Sequence, residues 1–136
     1  MLVIDASVLA TALGDDGSDG DIARARLRDQ QLAAPELIDL EVVSVLRRQL
    51  SAGLLDARRA QLALHDLLDL PIERAPHAPL LSRCWELRDD LTVYDAAYVA
   101  LAEALDTLLL TADAPLASAP GLRCPIERLS PQGAGA

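Results

Sequence analysis

The chain contains no lysine and no phenylalanine, and among its 136 residues are only two cysteines, one tryptophan and two tyrosines. All twelve basic residues are therefore arginine. Without lysine there is no Walker A phosphate loop, no Schiff base, and no lysine of the receiver or haloacid-dehalogenase type. Haloacid-dehalogenase chemistry also fails at Asp5-Ala6-Ser7, which lacks the second aspartate. Trp85, Tyr94 and Tyr98 are the whole aromatic complement, a poor platform for stacking bases. A net charge of −9 argues against holding long nucleic acid by bulk charge. Cys84 and Cys124 are isolated and form no ligand-spaced pair, so they read as reduced, buried thiols of a cytoplasmic protein. The longest apolar run, Ala96–Ala102, is seven residues, too short to cross a membrane. Met1 leads straight into the strand-like LVID, with no basic region and no signal-peptide core.

What is present is apolar: 51% hydrophobic residues and a mean hydropathy of +0.22. This is enough for one domain with a real core, and the surplus points to apolar surface covered by a second subunit or another protein. LVID reads as a strand and ASVLATAL as a helix, followed by a polar loop over 14–20 and the exposed helix DIARARLRDQQ. After a short extended LAA, Pro35 and Glu36 open the helix PELIDLEVVSVLRRQLSAG, which Gly53 ends. Asp56 caps a further helix through Leu70, PIERAP is extended, and 79–90 is helical. LTVYDAAYVALAEAL is a largely apolar helix, TLLLTAD a compact buried strand, APLASA a short helix and CPIERL a last strand. Residues 1–129 form the expected domain, and 130–136 a disordered tail. Strands alternating with helical crossovers predict an α/β domain with a central, mostly parallel sheet and helices on both faces.

In such a sheet ligands bind beyond the carboxyl ends of the strands. Asp5 closes the first strand and Asp113 follows the LLLT strand by two residues. Either could simply cap the helix after it. Asp95, three residues after Thr92, could likewise belong to a capping box that suits the helix dipole. Glu41 is different. Its nearest neighbours around the helix are Leu37, Ile38, Ser44 and Val45, a largely apolar face deep inside the helix where capping does not apply. Burying it unpaired would cost several kcal/mol, so it needs a cation. Arg48, two turns along, is the side-chain candidate for a structural pair; a metal held by several carboxylates is the alternative. Asp39 points the opposite way from Glu41 and cannot share its site. An all-oxygen cluster suits Mg²⁺ or Mn²⁺, which polarises a phosphoryl oxygen and activates water without a covalent nucleophile.

LVIDAS, the helical Glu41, LTVYDAAYVALA and LLTAD, in this order and spacing, resemble the PIN-domain ribonucleases, above all the VapC toxins of bacterial toxin–antitoxin pairs. The resemblance runs to about Leu129. It implies a three-layer α/β/α PIN-like fold with a five-stranded sheet. It also implies that Asp5, Glu41, Asp95 and Asp113 bind the metal, with Ser7 and Thr111 as hydroxyls supporting Asp5 and water. The activity implied is metal-dependent endoribonuclease cleavage of a tRNA or ribosomal loop, leaving 5′-phosphate and 3′-hydroxyl ends. A homodimer and a VapB-like antitoxin that wraps the toxin are implied as partners. One departure stands out: the helix after Asp113 carries Pro115, Leu116 and Ser118 where family members often have arginine or another acid. That argues against a second metal ion, and leaves RNA contacts to Arg24, Arg26, Arg28 or Arg48. The competing functions are a housekeeping PIN nuclease without antitoxin and a catalytically silent PIN-fold binding module. His65 and His77 have no partner that would make them bases, and Trp85 is expected in the core or at a dimer contact.

Overall fold

The computed structural model describes residues 1–130, so most of the expected disordered tail lies outside the described residues. In chain order the strands are β1 (Leu2–Ile4), β2 (Leu32–Pro35), β3 (Ile72–Ala75), β4 (Leu108–Thr111) and β5 (Ile126–Arg128). The helices are α1 (Ala6–Gly14), α2 (Ser18–Leu27), α3 (Ile38–Ser51), α4 (Ala57–Asp69), α5 (Leu81–Glu86), α6 (Val93–Ala104) and α7 (Ala114–Ala117). The five strands form one sheet in the order β3-β2-β1-β4-β5, and every pair is parallel. A parallel sheet covered on both faces demands apolar central strands. β1 (LVI) and β2 (LAAP) are buried throughout, whereas the edge strands β3 and β5 carry the exposed charges Glu73 and Arg128.

The order explains the layers. From β1 the chain steps outward to β2 and β3, then returns to the other side of β1 for β4 and β5. Right-handed crossovers put the helices of these two runs on opposite faces. Accordingly α1 packs with α2, α3 and α4, while α6 lies on β1, β2 and β4 with α5 behind it. The direction reverses between β1 and β4, whose register pairs Leu2 with Leu108 and Ile4 with Leu110. A crevice therefore opens beyond Ile4 and Thr111, at the reversal.

Local chemistry sets the helix ends. Asp5, Asp56 and Asp113 are N-caps whose carboxylates accept from the amides of Val8, Arg59 and Leu116. Thr92 caps α6 by accepting from the Asp95 amide. Gly53, at φ +75°, takes the left-handed turn just after α3. Three boundaries and one burial differ from expectation. Pro35 ends β2 rather than starting α3, since its missing N–H suits the last strand residue, where the ladder stops. α2 begins at Ser18, inside the expected loop, because Asp19 and Asp21 favour the positive end of the helix. The expected helix 79–90 divides into a 3-10 turn at Ala78–Leu80, α5 and a turn. Cys124 is only half-buried, unlike Cys84.

Candidate active site

Five side chains expected at a site converge on one cleft of about 340 Å³, lined by Asp5, Ser7, Glu41, Asp95 and Asp113 with Ser44, Val45, Arg48 and Tyr98. They come from the two sides of the reversal. Asp5 and Asp113 follow β1 and β4, Asp95 sits in the first turn of α6, and Glu41 is carried in by α3. Thr111, fully buried at the end of β4, supports the cleft from beneath.

Asp5 is the most constrained. It is 5% exposed. Its Oδ1 accepts from Ser7 Oγ at 2.6 Å and the Val8 amide at 3.2 Å, and its Oδ2 accepts from Thr111 Oγ1. Ser7 in turn accepts from the Ala112 amide at 3.1 Å, and Thr111 Oγ1 from the Asp113 amide at 3.0 Å. Two hydroxyls thus tie the carboxyl ends of β1 and β4 together, so Asp5 and Asp113 are set by one network. Asp113 remains an N-cap while lining the cleft, so its capping and cleft placements coexist.

Burial pushes the Asp5 carboxyl up, against the lowering effect of its hydrogen bonds, with the Asp113 charge adding to the rise. Asp95 is raised as well, first by burial and then by Asp113, Asp5 and Glu41. Among the described residues none of the four acids takes part in an ion pair. Negative charge is concentrated here, with Arg48 lining the cleft but, among the described residues, paired to none of the acids. An all-oxygen donor set of this kind fits a hard divalent cation. The fit is one of donor chemistry: among the described residues, no three His, Cys, Asp or Glu side chains already stand close enough to enclose an ion.

Glu41 differs from expectation. It is not sunk in an apolar face. The buried stripe of α3 is Ile38, Val42 and Leu46, and each such side chain adds about 1.5–3 kcal/mol on burial. That stripe sets the helix rotation, and Glu41, Ser44, Val45 and Arg48 form the adjoining stripe along the cleft. Glu41 is half-buried, and its partner is Tyr98, whose hydroxyl donates to Oε1 at 2.6 Å. Arg48 does not pair with it; its Nη1 donates to Ser44 Oγ at 3.1 Å. Tyr98 is the residue sequence reasoning missed. It lies three residues after Asp95 and so on the same helix face, a spacing that could have pointed to it.

The remaining candidates lie elsewhere. Asp39 pairs with Arg74 at 2.7 Å, away from the cleft. Arg24 is engaged by the carbonyls of Ala12 and Asp15 and by Asp21, and Arg26 by Glu127, so both are structural. Arg28 is exposed and outside the cleft, which leaves Arg48 as the arginine on its rim. His65 is exposed, and His77 Nε2 accepts from the Leu37 amide. Trp85 is no core residue: it is 66% exposed, with the Arg88 guanidinium 4.4 Å from its ring centre.

The PIN domain matches residues 2–122, spanning every element that supplies the cleft. The chain belongs to the PIN-domain family. Ribonuclease VapC1 of Mycobacterium tuberculosis is 43% identical to this PIN domain over 126 residues, covering 92% of this chain and 95% of the relative. Ribonuclease VapC9 of the same organism is 41% identical over 126 residues, covering 93% and 96%. Among solved structures, PAE2754 from Pyrobaculum aerophilum superposes with a TM-score of 0.69 at 25% identity, covering 92% of this chain and 81% of that one. The five-stranded α/β architecture expected from the sequence is thus the PIN fold, with the sheet wholly parallel.

Proposed function

We propose that this protein is a metal-dependent endoribonuclease toxin of the VapC kind, neutralised by a small VapB-like antitoxin. One observation carries the reading: four carboxylates from four separate segments line a single cleft at the β1/β4 reversal, with no side-chain cation paired to them among the described residues. The ribonuclease names of VapC1 and VapC9 support the substrate class, at an identity that spans nearly both chains.

Asp5, Glu41, Asp95 and Asp113 would hold one Mg²⁺ or Mn²⁺ ion. Such an ion, when bound, polarises a phosphoryl oxygen and lowers the pKa of water. The chain's own residues do the rest. Ser7 and Thr111 fix Asp5 by donating to both of its oxygens, which favours its charged form against the burial that raises its pKa. The α1, α6 and α7 N-termini lie at this end of the sheet, where their dipoles offset the crowded negative charge. Arg48 at the rim meets the RNA backbone as a bidentate phosphate donor. Hydrolysis by water leaves a 5′-phosphate and a 3′-hydroxyl, and the RNA is of the tRNA or ribosomal class. Two copies associate as a homodimer.

Partner-free protein and its Asp5→Asn and Asp95→Asn forms, incubated with total RNA, test the reading directly. Wild type is expected to cut with Mg²⁺ and not with chelator. Each variant should lose more than the roughly 10–100-fold that removing a supporting contact costs. Cleavage that survives either substitution, or survives chelation, would overturn the mechanism.

A further inference from the structure

Tyr98 is 1% exposed, yet its hydroxyl opens onto the acidic cleft. Among the described residues, its bond to Glu41 is the hydrogen bond that joins α3 to α6. The cleft's acids are held unequally. Asp5 accepts three hydrogen bonds and Asp113 accepts one from the Leu116 amide. Glu41 projects from the middle of α3 on a side chain with high rotamer freedom, held by Tyr98 alone among the bonds of the described residues.

The position of Tyr98 is itself tightly fixed. It stands within the run Ala96–Ala102 of α6, every residue of which is buried, and its helix lies on β1, β2 and β4. Asp95 is one turn earlier on the same helix, so a single rigid element presents one acid and grips another. A phenol also suits the task chemically. It donates one short hydrogen bond to a carboxylate oxygen and brings no charge that would compete with a cation.

We infer that Tyr98 is a positioning residue: its hydroxyl holds Glu41 by Oε1 and leaves Oε2 free to join Asp5, Asp95 and Asp113 in binding a divalent cation. The inference rests on the metal-dependent reading above and adds a residue that acts through Glu41.

The test is a double-mutant cycle on Mn²⁺ affinity, measured calorimetrically without RNA. It uses wild type, Tyr98→Phe, Glu41→Gln and the double variant, with thermal melts of each metal-free form. Tyr98→Phe keeps the ring and its packing, so it should melt near wild type while binding Mn²⁺ about 10-fold more weakly. In the Glu41→Gln background the same change should weaken binding no further. RNA cleavage by Tyr98→Phe should recover as Mn²⁺ is raised. Wild-type affinity in Tyr98→Phe would overturn the inference and leave the metal reading standing. An equal loss in both backgrounds would also overturn it, by showing an effect that bypasses Glu41. A wild type that takes up no Mn²⁺ would instead sink the metal reading, and the inference with it.

Discussion

Asp95 joins two demands that pull against each other. Its backbone amide completes the Thr92 cap, while its side chain lies in the acidic cleft, where burial and then Asp113, Asp5 and Glu41 raise its pKa. A carboxyl with a raised pKa binds its proton more tightly folded than unfolded. Its ionisation therefore subtracts stability as the pH rises from the ordinary Asp value of 3.8 through the raised one. Asp95→Asn should accordingly raise the melting temperature of the metal-free protein at neutral pH, and the gain should vanish as the pH falls to about 4, below which both forms are neutral. Saturating Mg²⁺ should reverse the order, because the ion stabilises only the form that binds it. Thermal melts at three pH values, with and without Mg²⁺, check this. A variant less stable than wild type in metal-free neutral buffer would show that the cap and dipole outweigh the repulsion.

At the scale of elements, the sequence was most legible where one local rule decides. Asp56 and Thr92 cap the helices expected to follow them, and Gly53 closes α3. The strands β1 and β4 were visible as short apolar runs that only a covered parallel sheet can bury. The placement of Asp5 and Asp113 beyond them follows from that same pattern. Less legible was whatever depends on which of two adjacent helix stripes turns inward. Glu41 was expected within a buried face, but Ile38, Val42 and Leu46 take that place and leave it at the cleft edge. Its partner Tyr98 lies 57 positions away, beyond the reach of any local pattern. The Arg83–Glu103 pair was hidden for the same reason. Arg83 Nε meets Glu103 Oε1 at 2.7 Å with side chains 18% and 11% exposed, and Glu103 Oε2 also accepts from the Arg123 amide. The cluster fastens α5 and the segment before β5 to the end of α6. Burial pushes Glu103 up, but the Arg83 and Arg123 bonds prevail and its pKa is lowered. Its contribution is therefore full above the ordinary Glu value and is lost as the pH falls through the lowered one. Glu103→Ala should cost about 1–3 kcal/mol in denaturant unfolding at pH 7, since it removes the charged acceptor of Arg83 and of the Arg123 amide while Arg83 keeps Glu86 and the Gly121 carbonyl. A loss below about 0.5 kcal/mol would mean the pair behaves as an exposed one.

For the whole molecule, the apolar surplus has to be placed. The core takes the central strands and the inner stripes of the helices, but large apolar side chains also stand outside it on α5 and the start of α6. Leu81, Val93 and Tyr94 border one shallow, mostly apolar hollow together with Leu37, Leu80 and Cys84, and Trp85 lies one turn beyond Leu81. Leu81 is 54% and Tyr94 64% exposed. Aromatic and aliphatic groups gathered in this way favour association, and a tryptophan at such a face tends to dominate its energy. The homodimer proposed above is expected to form through this face. A standard interface removes about 800 Å² per partner, more than these side chains alone supply, so exposed Leu40 and Val43 of α3 are expected to extend it. All four acids of the cleft come from one chain, so separating the copies should not dismantle the site. Light scattering at micromolar concentration should find wild type at twice its chain mass and Leu81→Arg or Trp85→Glu at the mass of one chain, both still binding Mn²⁺. A monomeric wild type would instead mark this face as one that only a different protein covers. Monomeric variants that lose Mn²⁺ binding would show that association shapes the cleft from outside, through the Val93–Tyr94 start of α6 that also presents Asp95.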